Sequence, residues 1–391
     1  MTATLSPRIA TVGIVTWATS LRGVTAARVD FGLTTSYGMA APVDLRETDR
    51  RTLLLGMKPM QTYHYRIVAS GAGGTCESGD HTLKSGAKPG GPVITVTTTD
   101  ASRVAGGFLT FAHYPQSGAS IIDGDGDVVW SFDQSVSSSG VHMSHDGKYL
   151  WINSDNCCTD GAASVHRVSM DGLTDDDFSS QFPGQNHQLT VLPDETVAFY
   201  GYGDRCDDIK ERSPDGWTRT IVNSGIAQGV TDDCHVNNIA YSPMDDALVF
   251  SDLDHLTVTK ITRTGETVWV LNGAQGFGGL WTGGQHGIDV LGLDDVLIFN
   301  NSDGNSGALQ LKLDLANKTA ITVWSHTGQV HVDFMGDAVR LPNGNTLIAY
   351  SNRGLTEEVT ADGTVVQTMR WSSGSFGYVE KRLSLYGPPL R

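Results

Sequence analysis

Thr264-Gly-Glu-Thr-Val-Trp269 is a polar turn that runs straight into an apolar strand, and the chain writes this phrase six times. The other copies are Asp125-Gly-Asp-Val-Val-Trp130, Asp171-Gly172, Asp215-Gly-Trp217, Asn317-Lys-Thr-Ala-Ile-Thr-Val-Trp324 and Asp362-Gly-Thr-Val-Val366. Their first residues lie 46, 44, 49, 53 and 45 positions apart. Asp-Gly and related pairs suit the positive-φ positions of tight hairpins, so each copy marks the outer hairpin of one four-stranded unit. Six hairpins at this period predict an all-β fold built on a six-bladed β-propeller.

A second series interleaves with the first. It is an apolar strand led by a polar residue: His142-Met-Ser-His, His187-Gln-Leu-Thr-Val-Leu, His235-Val-Asn-Asn-Ile-Ala-Tyr241, His286-Gly-Ile-Asp-Val-Leu291 and Asp337-Ala-Val-Arg-Leu341, at spacings of 45, 48, 51 and 51. These are the expected innermost strands. Gly106-Gly-Phe-Leu-Thr-Phe111 reads as a degenerate first copy, and either Val93-Ile-Thr-Val96 or Tyr378–Leu385 is expected to close the ring by joining a blade built from the other end.

Ahead of the repeats, residues 1–85 read as short strands (Ile9–Trp17, Ala27–Gly32, Arg51–Leu55, Thr62–Ala69), enough for a small β-sandwich with Trp17 between its sheets. Leu55-Gly-Met-Lys-Pro-Met-Gln-Thr-Tyr-His-Tyr-Arg66 resembles the turn and following strand of fibronectin type III domains. Residues 86–91, inside Lys84-Ser-Gly-Ala-Lys-Pro-Gly-Gly-Pro92, are the linker, and 92–391 are the propeller.

With 46 Gly among 391 residues and no long run of apolar residues spaced at three and four, the chain lacks the material of amphipathic helices. A net charge of −16 argues against nucleic acid as a partner, since phosphate binding draws on concentrated Lys and Arg. No stretch approaches a membrane span. The expected location is periplasmic or secreted, with an export signal already removed, and oligomerisation is left open.

Five cysteines, Cys76, Cys157, Cys158, Cys206 and Cys234, allow at most two intrachain disulfides. A Cys158–Cys206 bridge is expected between loops of neighbouring blades. Asp123-Gly-Asp-Gly-Asp127 imitates the start of a calcium loop but lacks its glycine and closing glutamate, and reads as a hairpin turn.

Innermost strands of a propeller flank its axis, so His142, His187, His235, His286 and Asp337 are expected to converge on one mouth, with His331 just ahead of the last strand reaching it too. Such a ring either fills the axis with hydrated polar groups or supplies nucleophile, acid, base or metal ligands, because imidazole titrates near neutrality.

His187-Gln-Leu-Thr-Val-Leu-Pro-Asp, Cys234–Ser251, Ile261–Gly273, Gly284-Gln-His-Gly-Ile-Asp-Val-Leu291 and Gly336–Ile348 together resemble the repeats of the bacterial arylsulfotransferase family, over roughly residues 92–391. The resemblance implies an exported six-bladed propeller that moves a sulfuryl group between phenols through a sulfated histidine, with no required cofactor. It implies His235 and His286 as active-site histidines and His331 as the nucleophile, with His187 beside them and an aryl or other anionic small molecule as substrate. The family's arginine soon after the equivalent of His286 is missing from Asn300–Gly307, which leaves Arg340 or Arg353, with His142 and Asp337, to hold the substrate. Two other readings stand: a lyase or hydrolase using Zn²⁺ or Ca²⁺ on His187, His235, His286 and Cys234, near Asp232 and Asp233, and a non-catalytic ligand-binding propeller.

Overall fold

The computed structural model describes residues 1–154, 163–273, 280–281 and 283–390. Among them the fold is all-β apart from one five-residue α-helix, Ser224–Gln228, and four single 3₁₀ turns. Six antiparallel sheets follow one another around an axis as a β-propeller. In the second to fifth sheets the chain runs from the innermost strand outward: Gly140–Met143 begins the second, Gln185–Val191 the third, Val236–Ser242 the fourth and Gln285–Gly292 the fifth. All six quoted hairpins join the third and fourth strands of a sheet, and Gly126, Gly172, Gly216, Gly265 and Gly363 take the positive φ that the turn requires.

The ring closes twice. Ile94–Thr98 pairs outside Val365–Trp371 as a fifth strand of the sixth sheet, while Val379–Arg382 pairs inside Phe108–Ala112 as the innermost strand of the first. Both closing segments are therefore used, and Phe108–Ala112, expected as an innermost strand, is second in its sheet. The reason is visible in its neighbours: Leu109 and Phe111 pack with Met369, Trp371 and Phe376 between the first and sixth sheets, at a depth that leaves the axis to the C-terminal strand.

Along the axis, side-chain acceptors on one innermost strand take backbone N–H groups from the next. Glu380 Oε2 accepts from Met143 N (2.7 Å), Asn238 Oδ1 from Ile288 N (3.1 Å), Asp289 Oδ2 from Arg340 N (2.8 Å) and Asp337 Oδ2 from Val379 N (2.9 Å). Such a hydrogen bond contributes about 0.5–1.5 kcal/mol between neutral groups and about 1.5–3 kcal/mol with an ionised partner. These contacts fix the register of sheets that share no strand ladder.

Residues 1–84 form a three-stranded sheet (Thr2–Leu5, Gly13–Thr16, Thr52–Leu54) facing a larger one centred on Val24–Gly32 and Thr62–Gly71. Trp17 lies buried between them with Val15, Val29, Phe31 and Tyr63. Ile9, Val12 and Leu55 pack instead with Ile121, Trp130 and Met143 of the first two propeller sheets. Charge reinforces this junction. Lys58 Nζ lies 2.9, 2.7 and 2.7 Å from carboxylate oxygens of Asp123, Asp125 and Asp127, so the calcium-like turn holds an ammonium group. Burial alone pulls the Lys58 pKa down, but the hydrogen bonds to the three carboxylates carry it above its ordinary value.

Candidate active site

His235 sits where the chain enters the fourth sheet, and four contacts fix it there. Cys234 is disulfide-bonded to Cys206. His235 N donates to Asp252 Oδ1 (3.1 Å), Val236 N to Asp207 Oδ2 (2.9 Å), and Leu253 N returns a bond to His235 O (2.9 Å). Burial pushes the Asp207 carboxyl up to about 6, partly offset by the Val236 N–H and the nearby His187. The His235 ring stacks on that of His187, with centroids 5.1 Å apart and the two Nε2 atoms 2.9 Å apart, so one ring donates to the other. His187 holds φ at +45°, a left-handed conformation that costs a non-glycine residue free energy and concentrates at functional sites.

Asn301 orients His286. Its Nδ2 donates to the carbonyls of Val332 and Met335 (both 3.0 Å), which turns Oδ1 toward His286 Nδ1 at 2.6 Å. Nδ1 is therefore the donor in this contact. Beside it, Tyr378 crosses the axis to donate its hydroxyl to Asn237 O (2.7 Å), which floors the histidine mouth.

His331 and Arg353 pair on the loops that flank the first two strands of the sixth sheet. His331 Nδ1 donates to Gly304 O (2.6 Å) and Nε2 lies 3.3 Å from Asp333 Oδ1, so both ring nitrogens face acceptors. Arg353 donates from Nε to His331 O (2.5 Å) and from Nη2 to Asp333 Oδ2 (2.9 Å). Hydrogen bonds link the whole arc: His235 to Asp252, Gln285 Nε2 to Asp252 O, His286 to Asn301, and Asn301 to Val332 beside His331.

Other expected site residues lie elsewhere. His142 and Asp337 face a separate axial cavity beyond Tyr378, with Gln188, Asn238, Asp289, Glu380 and Lys381. Burial lowers the His142 pKa and raises that of Asp337 to about 8. Arg340 turns outward: its guanidinium lies 4.9 Å over the Trp324 ring and donates to Gln310 Oε1 (2.8 Å), because neighbouring positions of a strand face opposite sides. Cys206 pairs with Cys234 and not with Cys158, which lies with Cys157 outside the described residues; Cys76 is free and exposed. Cys234 is thus neither a thiol nor a thiolate ligand. Among the described residues, the one group of His, Cys and acidic side chains with metal-like spacing is Cys234, Asp252 and His255, and its sulfur is the disulfide's. Asn301, Asp207, Asp252 and Tyr378 were not singled out from sequence. The signal was there in the polar residues that end the second strand of a sheet, Asp252 and Asn300-Asn301, but it has no fixed offset from the histidines it supports.

Residues 206–372 match the family model described as Arylsulfotransferase (ASST). No curated protein matches the chain. Similar solved structures include a protein of unknown function from Bacteroides caccae (15% identity, 71% of this chain and 98% of that one, TM-score 0.48). Virginiamycin B lyase from Staphylococcus aureus is 13% identical over 81% and 93% of the two chains, with a TM-score of 0.45. A periplasmic gluconolactonase from Pseudomonas aeruginosa is 13% identical over 91% and 98%, also with a TM-score of 0.45.

Proposed function

We propose, from the match of residues 206–372 to the arylsulfotransferase family model, that the chain transfers a sulfuryl group from an aryl sulfate to a phenol through a histidine at the propeller mouth. The observation that carries the assignment of roles is the Asn301 contact, which fixes the His286 ring through Nδ1 and turns Nε2 to the opposite side of the ring. His286 Nε2 attacks sulfur, the S–O bond to the aryl oxygen breaks, and the bonding pair leaves with the phenolate. The His187–His235 pair gives the phenolate its proton and later takes one from the acceptor phenol, whose oxygen attacks the sulfated histidine and frees Nε2. Arg353, which the His331 carbonyl positions, holds the sulfuryl oxygens, which are anionic throughout. This supplies from the sixth sheet the charge missing from Asn300–Gly307. It also moves the nucleophile from His331 to His286, because both nitrogens of His331 are already turned to acceptors.

The disulfide is consistent with an oxidising compartment, and we take the protein to act in the periplasm or outside the cell. In the same spirit we read residues 1–85 as a fibronectin type III-like domain docked on the propeller.

The test is turnover of p-nitrophenyl sulfate with a phenol acceptor, with and without chelator. Wild type should turn over and, quenched without acceptor, carry one SO₃ group on the peptide containing His286. His286→Ala should abolish both signals, and His235→Ala should slow transfer while still forming the adduct with a good leaving group. Label on another histidine would overturn the assignment of His286. Activity that disappears with chelator would replace this reading by the metal-dependent lyase or hydrolase.

A further inference from the structure

The axial cavity beyond Tyr378 takes no part in the chemistry above, yet it encloses polar groups. Its volume is about 150 Å³, and Pro389 and Leu390 line it along with the innermost strands. A water molecule's share of liquid is about 30 Å³, so the space suits a solute of roughly five heavy atoms.

Each carboxylate on its walls already holds a backbone N–H. Glu380 accepts from Arg382 Nη1 at Oε1 and from Met143 N at Oε2. Asp337 Oδ2 accepts from Val379 N and Asp289 Oδ2 from Arg340 N. Ile288 N fixes Asn238 Oδ1 as an acceptor, so Asn238 Nδ2 donates to Gln188 Oε1, and the Gln188 Nε2 amide group is left over. The donors are not matched. Lys381, 6% exposed, has no hydrogen bond or salt bridge among the described residues. Glu358, the acid whose charge reaches it, accepts from Ala105 N and Asn345 Nδ2 on Oε1 and makes no ion pair with it. Gln188, 7% exposed, makes no bond from Nε2 among the described residues.

An ammonium group on the wall of a cavity, with no protein acceptor among the described residues, is matched by an anion. We propose that the axial cavity binds a small oxyanion, tetrahedral or carboxylate, with Lys381 as its charge partner and the Gln188 amide as a second donor. Burial supports this from both sides: it raises Asp337 to about 8, so this acid is mostly neutral at pH 7, and it lowers Lys381 to about 8, which leaves the amine mostly charged there. The site is distinct from the histidine mouth and does not rest on the sulfuryl-transfer reading.

The experiment measures binding of sodium sulfate, sodium phosphate and sodium acetate to the full chain by calorimetry and thermal unfolding at pH 7, against sodium chloride of equal ionic strength. Arg353→Ala, which removes the mouth's own oxyanion contact, should bind one oxyanion saturably, and wild type should bind at least that one. Lys381→Met should bind about tenfold more weakly or worse, the loss expected for one charge-assisted hydrogen bond. Preference for sulfate and phosphate over acetate identifies a tetrahedral ligand, and the reverse a carboxylate. Should Lys381→Met fail to fold, reductive methylation of wild type with formaldehyde, followed by peptide mapping, reads Lys381 directly, and the bound oxyanion should slow its modification saturably. Equal responses in wild type and Lys381→Met, loss of binding in Arg353→Ala, or methylation of Lys381 indifferent to all three anions would each overturn the proposal.

Discussion

Opening the Cys206–Cys234 disulfide, by paired Cys→Ser substitution or by reductant, should cost about 3.6 kcal/mol of stability. The bridge spans a sequence separation of 28 residues. For a loop of that length the chain-entropy relation removes about 12 cal/mol/K from the unfolded ensemble, or about 3.6 kcal/mol at 25 °C. The assay is urea unfolding followed by tryptophan fluorescence, oxidised against reduced, with the free energy extrapolated to water. Activity should respond less. Asp207 and Asp252 still hold the backbone of Val236 and His235 when the sulfur bridge is gone, so kcat/KM should fall by less than about tenfold, roughly 1.4 kcal/mol. A stability change under about 0.5 kcal/mol, the range of ordinary surface substitutions, would refute the entropic reasoning. Collapse of activity to the level of His235→Ala would refute the claim that the two carboxylates suffice to place the histidine.

Asn301→Ala should lower kcat/KM by about 10–100-fold by releasing the His286 ring, read from steady-state kinetics beside wild type. Asp337 has its folded pKa raised to about 8 from an ordinary value of 3.8, so its contribution favours the folded state below about pH 4 and is lost as pH rises toward 8. Asp337→Asn should flatten that part of the stability–pH curve, and an unchanged slope would count against the buried acid. Lys58→Met leaves Asp123, Asp125 and Asp127 facing one another without their ammonium. The variant should be less stable than wild type and should recover on adding millimolar Ca²⁺, while wild type should show no calcium response in thermal unfolding.

The hairpins were legible because a tight turn imposes its chemistry locally: Asp-Gly at 125, 171, 215 and 362 states a backbone conformation wherever it occurs. The apolar inner strands were legible for a similar reason, since burial on both faces dictates their composition. Which strand lies innermost in the first sheet was not, because Phe108–Ala112 and Val379–Arg382 are both strand-forming and the choice depends on contacts some 270 residues apart in sequence, such as that between Thr110 and Glu380. The histidine series likewise identified strands but not heights along the axis. His142 is third in its strand, while His235 precedes its own, and that offset puts Tyr378 between their chambers. The partner of Cys206 was missed because disulfide pairing depends on distance in space, which loops erase from sequence.

The double closure of the ring sets an order on biogenesis. Ribosomes deliver the N-terminal part first, so Ile94–Thr98 and Phe108–Ala112 emerge long before Val365–Trp371 and Val379–Arg382, the strands that cover their edges. Until those later strands emerge, the nascent chain carries open strand edges of the kind that invite pairing with other molecules. A premature stop ahead of Val379 removes more than a tail: it deletes one wall of the axis, including Glu380 and Lys381, and leaves the first sheet open for good.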